Sequence, residues 1–221
     1  MIKIYGDVMG AFIYFVDVEG VRVTASSSEE LEFIKSVEEE IKRSLTLRAL
    51  RNNPVVRAYR DFYWRIGVDP TKTRPAAEAL VRRILQGRGL PKINNVVDAG
   101  NIVSARMLIP VGLYDLEMVR GDVVLRPSRE DEVFHPIGGG EEKLPRGLPV
   151  LADEEKVVHL FPHRDSIYTA IRNSTSNVLV VACGVPGVNA ALVRLTARRV
   201  SEAIVRFAGG RAGSIACTGV R

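Results

Sequence analysis

Apolar residues recur along this chain in two periods, and the change from one to the other divides it. Near the start, Ile4 to Phe15 and Val21 to Thr24 read as two strands turning at Glu19-Gly20. Ser26 with Glu29 then resembles a capping box. Behind it Leu31, Ile34, Val37, Ile41 and Leu45 mark one side of a helix. Asn52-Asn53-Pro54 interrupts the pattern, and a second helix is expected from Val55 to Ile66. Asp69-Pro70 opens a third segment, in which Ala76, Leu80 and Ile84 run helically up to a stop at Gly87.

After Asp115 the runs shorten and become β-like: Val123 to Arg126, Glu132 to His135, Val150-Leu151, Val157 to Phe161 and Val178 to Cys183. Gly138-Gly139-Gly140 and Leu144-Pro145-Arg146-Gly147 separate them. A long helix closes the pattern from Val188 to Phe207, with Val193, Ala197, Val200, Ile204 and Phe207 at spacings of four and three. Helices first, strands next and a final helix predict an α+β fold rather than a parallel doubly wound sheet. The expected organisation is a hairpin-helix extension over 1–50, a main domain over 51–208 and a loosely held tail over 209–221.

Between the two regimes lies PKINNVVDAGNIVSARMLIPVGLYD, from Pro91 to Asp115. If Val97 to Met107 is helical, Asp98, Asn101 and Ser104 lie near one face. With Asn94 and Asn95 they either cap a helix and brace loops or form the wall of a polar pocket.

These residues also carry a resemblance. NNVVDAGNIV (94–103), IPVGLYD (109–115), VVLR (123–126) and TSNVLVV (175–181) resemble, in order and spacing, the signature of the B3/B4 editing domain of the phenylalanyl-tRNA synthetase β subunit. VDPTKTRPAAEALVRR (68–83) and HRDS (163–166) are similar to segments of free-standing B3/B4 proteins. The resemblance covers roughly 55–208 and implies β layers flanked by helices. It also implies an RNA context and a site that hydrolyses a misattached amino acid from tRNA. Two positions depart from it. Gly112 stands where the synthetases usually have a His, and Val181 where they usually have a Glu. In the synthetases those residues resemble parts of the site that removes tyrosine. Val181 cannot hydrogen-bond a phenol, so the expectation is an amino acid other than tyrosine.

Composition narrows the context. The chain has 221 residues, 46% hydrophobic and 26% charged, which is ordinary for a globular protein. No apolar run reaches membrane-spanning length. The start MIKIYGDV carries no secretory pattern. Cys183 and Cys217, far apart, suit a reducing compartment, so a cytoplasmic location and no membrane partner are expected. Net charge is +5 and the pI about 9.4, with 24 Arg against 7 Lys. Many arginines lie between Arg43 and Arg88, and Arg74, Arg82 and Arg83 are the expected RNA contacts. Guanidinium forks suit phosphate, and helix faces with acidic partners explain the same residues equally well.

The chemistry-bearing candidates are few. If 157–165 is one extended run, His159 and His163 stand about 13 Å apart, too far to share a zinc ion. No metal site and no cofactor are expected. Gly138-Gly139-Gly140 lacks the Lys-Ser/Thr of a phosphate loop, and Gly184 to Asn189 is either a plain helix entry or a set of amides that receives an anion. Arg164-Asp165-Ser166, with Thr169, is either a capped turn or a pocket rim holding an ammonium, a carboxylate and a carbonyl. The expected substrate-binding set is Asn94, Asn101, Ser104, Asp115, Arg164, Asp165, Ser166 and Thr169, with the catalytic residue unassigned. The activity expected is deacylation of misacylated aminoacyl-tRNA in trans. The alternative is a non-catalytic module that binds RNA or an amino acid-like ligand.

Overall fold

The computed structural model describes residues 3–219, so the parts of the expected extension and tail that fall on 1–2 and 220–221 lie outside it. Strands β1 (Ile4–Tyr5) and β2 (Phe12–Glu19) come first, then helices α1 (Ser28–Ser44), α2 (Leu47–Asn52), α3 (Pro54–Arg65), α4 (Ala76–Leu85) and α5 (Asn95–Met107). Strands β3 (Val111–Asp115), β4 (Val123–Pro127), β5 (Glu132–Phe134) and β6 (Glu142–Leu144) follow. Next are β7 (Pro149–Ala152), β8 (Val157–Leu160), β9 (Arg164–Asp165) and β10 (Asn177–Gly184). Helix α6 (Ala190–Ala208) and strands β11 (Arg211–Ala212) and β12 (Ala216–Thr218) end the chain. This is the expected α+β arrangement, with sheets flanked by helices.

The strands form two five-stranded sheets and a β5–β6 hairpin. One sheet runs β1-β4-β7-β8-β9, and the other β11-β2-β10-β3 with β12 also on β2. Strand β10 is apolar along nearly its whole length because both of its faces are covered. Leu179, Val181 and Cys183 face a core shared with the first sheet and with Ala58, Tyr59, Phe62 and Tyr63 of α3. Val178 and Val180 face a second core built with α1, α4, α5 and α6.

Sequence position misleads at both ends of the chain. Strand β2 pairs with β10 in unbroken register from Glu19↔Asn177 to Phe12↔Gly184, so this strand of the expected extension lies inside the sheet of the main domain. Val21 to Thr24 is not a strand. Its backbone is tied instead to distant segments, through Val21 N–H to Ser176, Arg22 N–H to Ala208, and Thr24 C=O from Asn95 N–H. The expected loose tail is held as β11 and β12 on β2, with Ala212, Ile215 and Ala216 packed against the cores. The cap of α1 is Ser27, one residue later than expected, accepting from Glu30 N–H at 3.2 Å.

Candidate functional site

Alternation along β3 sorts the expected site residues onto two faces. Val111 and Leu113 pack toward the helices, and Tyr114 toward the first sheet. Helix α5 approaches the helix-side face so closely that a Cβ on Gly100 would meet Leu113 Cδ1 at 2.6 Å. The sheet therefore stands between the polar row of α5 and the Arg164–Thr169 segment. The expected single pocket between them is replaced by two separate environments.

The α5 residues brace the fold. Asn94 caps the helix by accepting from Val97 N–H at 2.9 Å. Asn95 accepts from Thr24 N–H and donates to the carbonyls of Arg22 and Phe207. Asp98 accepts from Ile93 N–H at 2.9 Å and Ser26 Oγ at 2.7 Å. Ser104 donates to Ile109 C=O at 2.7 Å. Asn101 is half-buried with no side-chain hydrogen bond among the described residues. Asp115 accepts from Glu117 N–H and, at 2.7 Å, from Thr175 Oγ1, fixing the turn after β3. Each pairing satisfies a buried polar group that would otherwise cost stability.

The other face concentrates the chemistry. The chain reverses after Phe161, so β8 and β9 pair antiparallel with His159 opposite Asp165. His159 Nδ1 lies 2.7 Å from Asp165 Oδ1. With Nδ1 as the donor, Nε2 is the basic nitrogen, and it faces Cys183 Sγ at 3.9 Å. Burial, with Asp165 nearby, pushes the Cys183 thiol well above its ordinary range, so it is held protonated. Tyr59 Oη donates to Cys183 C=O at 2.5 Å. The Tyr114 ring lies edge-on to His159, with centroids 6.0 Å apart. Its hydroxyl occupies the space above Gly112, where any Cβ would overlap it and would stand 3.2 Å from Asp165 Oδ1. Burial first, then Asp165, holds the Tyr114 phenol protonated.

Arg164 makes a bidentate pair with Glu142 and lies over the Phe134 ring at 5.7 Å. Ser166 is buried and caps the following turn by accepting from Tyr168 N–H at 3.3 Å. Thr169 is buried with Oγ1 unpaired. The His163 imidazole is pulled down to about 3, chiefly by burial and secondarily by His159 and Arg164. It borders a cavity of about 180 Å³ with Phe161, Arg164 and Glu142. The sequence reading missed Cys183 and His159 as partners of Asp165 because it took 157–165 as one extended run. The signal available was Pro162, a break in that run. Among the described residues, no group of three or more His, Cys, Asp or Glu side chains is placed to hold a metal ion, and no helix is long and apolar enough to cross a membrane.

The arginines divide by location. On α5 and α6, Arg106 pairs with Glu40, Arg198 and Arg199 with Glu202, and Arg206 with Glu29. Across α2 to α4, Arg48, Arg51, Arg57, Arg65, Arg74 and Arg88 are exposed. In that region Arg60 pairs with buried Glu78, and half-buried Arg83 donates to Gly89 C=O at 3.2 Å. Arg82 is half-buried too. Of the three expected RNA contacts, Arg74 alone is exposed.

Comparison with known proteins bears on what this arrangement serves. Residues 58–212 match the B3/4 domain family. The phenylalanine–tRNA ligase beta subunit of Fusobacterium nucleatum subsp. nucleatum is 30% identical over 109 residues, 49% of this chain and 14% of that protein. That of Moorella thermoacetica is 29% identical over 136 residues, 60% of this chain and 17% of that protein. The matches thus span less than a fifth of those relatives' length. In three dimensions the chain is similar to an N-terminal fragment of the phenylalanyl-tRNA synthetase beta subunit from Pyrococcus horikoshii. The TM-score is 0.52 at 16% identity, covering 96% of this chain and 50% of that one.

Proposed function

Because the chain belongs to the B3/4 domain family, we propose that it hydrolyses the ester of misacylated aminoacyl-tRNA in trans, in the cytoplasm, on an amino acid other than tyrosine. The observation that carries this reading is the Asp165–His159 couple, set beside Gly112 at the junction of the two sheets. Gly112 and Val181 are the positions where the resemblance puts editing-site residues, and they face each other in register on β3 and β10. Asp165, 29% exposed at its side chain, is the edge of the cluster open to solvent. There it can hold the substrate ammonium or itself take a proton from an attacking water, with His159 as its buried hydrogen-bond partner. The water oxygen bonds to the ester carbonyl carbon, the ester C–O bond breaks, and the departing ribose oxygen takes up the proton. The exposed arginines of α2 to α4 supply the phosphate contacts.

One observation favours a second reading, that of a module that binds without turnover. His159 and Cys183 are almost wholly enclosed, and the Tyr114 phenol fills the space over Gly112. The deciding experiment presents the purified chain with a full panel of aminoacyl-tRNAs and measures both deacylation and binding. Hydrolysis of small or apolar aminoacyl esters, with tyrosyl-tRNA spared, is the expected result. Tight binding with no member hydrolysed above its spontaneous rate would overturn the deacylase reading in favour of the module. Tyrosyl-tRNA hydrolysed as fast as the best substrate would overturn the assignment of Gly112 and Val181.

A further inference from the structure

Helix α3 has one face that packs and one that does not, and the second is chemically unusual. Val56, Ala58, Tyr59, Phe62 and Tyr63 are buried and anchor the helix to the cores. The opposite stripe presents Arg57, Asp61, Trp64 and Arg65, all exposed. Trp64 is the chain's single tryptophan and is 57% exposed. The helix needs nothing from it, since its apolar face is already filled. Arg57 and Trp64 are seven residues apart, two turns along one line. Among the described residues neither Arg57 nor Arg65 has a side-chain partner, in contrast to the ion-paired Arg198, Arg199 and Arg206 of α6. Beside the stripe is a concavity of about 470 Å³ that Arg57, Asp61 and Arg65 border together with Pro186 and Gly187.

We propose that this stripe is a stacking platform for single-stranded RNA, with Trp64 taking a base and Arg57 and Arg65 the flanking phosphates. An exposed indole between unpaired guanidinium groups is the combination that holds unstacked bases without reading their sequence. Asp61 lies between the two arginines. Its carboxylate repels phosphate from the middle of the stripe and accepts from a base amino group, whose Watson–Crick edge is free only in an unpaired strand. The proposal rests on the reading that tRNA is the partner, and within tRNA it selects an unpaired segment over the helical stems.

Because Trp64 is the sole tryptophan, indole emission reports on this one position. The full chain is titrated at low salt with a single-stranded RNA oligomer, with a blunt RNA duplex of the same sequence, and with intact uncharged tRNA. The single strand should quench Trp64 and bind more tightly than the duplex, and the duplex should leave the emission unchanged. Trp64→Ala should weaken single-strand binding roughly tenfold or more, with Trp64→Phe retaining most of it. Arg57→Ala and Arg65→Ala should each reduce the slope of affinity against salt by about one. Equal quenching by the duplex, or wild-type affinity of Trp64→Ala for the single strand, would overturn the proposal. If tRNA binds with normal salt dependence while Trp64 is silent and dispensable, stacking is wrong and the tRNA reading stands. If no RNA binds, both fall.

Discussion

His159 and Asp165 are cross-strand neighbours on β8 and β9, joined by a 2.7 Å contact between Nδ1 and Oδ1. Asp165→Ala strands the buried Nδ1 donor and should cost about 1–3 kcal/mol. Asp165→Asn retains an amide oxygen that can accept the same hydrogen bond but loses the charge. It should therefore melt close to wild type while deacylation, or ammonium-dependent ligand binding, falls by about tenfold or more. Thermal unfolding alongside the aminoacyl-tRNA panel separates the two roles. Wild-type turnover in Asp165→Asn would show that the carboxylate charge is not used.

Gly112 leaves the space that the Tyr114 hydroxyl fills. Any side chain there collides with the Tyr114 hydroxyl. Gly112→Ala should destabilise by about 1–3 kcal/mol through overpacking. Pairing it with Tyr114→Ala removes the collision, so the double variant should lose less than the sum of the single losses. Denaturant midpoints for the four proteins test this, and strict additivity would mean that the phenol moves aside at no cost.

Arg60 and Glu78 tie α3 to α4, with Glu78 only 1% exposed. The hydrogen bond to Glu78 raises the Arg60 guanidinium further above its ordinary range. Removing the arginine leaves a buried carboxylate without its counter-charge, so Arg60→Ala should cost about 3–5 kcal/mol. Arg164→Ala breaks a pair exposed by 37% and 41% at its side chains and should cost about 0–1 kcal/mol. Chemical denaturation that ranks the two variants the other way would contradict this account.

Glu30 sets a pH dependence. Burial pushes its carboxyl up to about 7, opposed in part by Ser26 and Ser27, with Asp98 adding to the rise. A carboxyl whose folded value exceeds its unfolded value favours the folded state while protonated. That contribution is complete below about 4.5 and is lost as pH rises through about 7. His163, depressed to about 3, has the opposite slope: its contribution is present above about 6.5 and is lost as pH falls. The difference between wild type and Glu30→Gln therefore isolates the carboxyl. Glu30→Gln should gain about 2 kcal/mol on wild type between pH 5 and 8. Parallel stability curves across that window would exclude the effect.

Local pattern was enough to place most elements. The spacing of Leu80 and Ile84 with the Gly87 stop marks a helix that ends at Leu85. The run Val55 to Ile66 marks one from Pro54 to Arg65, and the polar series with Asn94 as its cap marks Asn95–Met107. Helix periodicity and caps are short-range, so neighbouring residues carry them. The α+β class followed from their order. The four ordered segments of the resemblance also pointed to the family that residues 58–212 match.

What the tertiary structure decided was adjacency. Whether β2 belonged to an extension or to the centre of a sheet depended on β10, more than 150 residues later. Whether Gly209 onward was loose depended on β2 offering a free edge for β11 and β12. The polar row of α5 and the Arg164–Thr169 segment read as two walls of one pocket. Period-two alternation on β3 turned Leu113 toward one and Tyr114 toward the other, and the sheet came between them. Cys183, His159 and Asp165 meet only because a turn at Phe161 to His163 brings one strand back on another and β10 packs across both. Side-chain chemistry is written residue by residue, but a site is a matter of distance. Distance between segments far apart in the chain is set by which strands pair and which faces they bury.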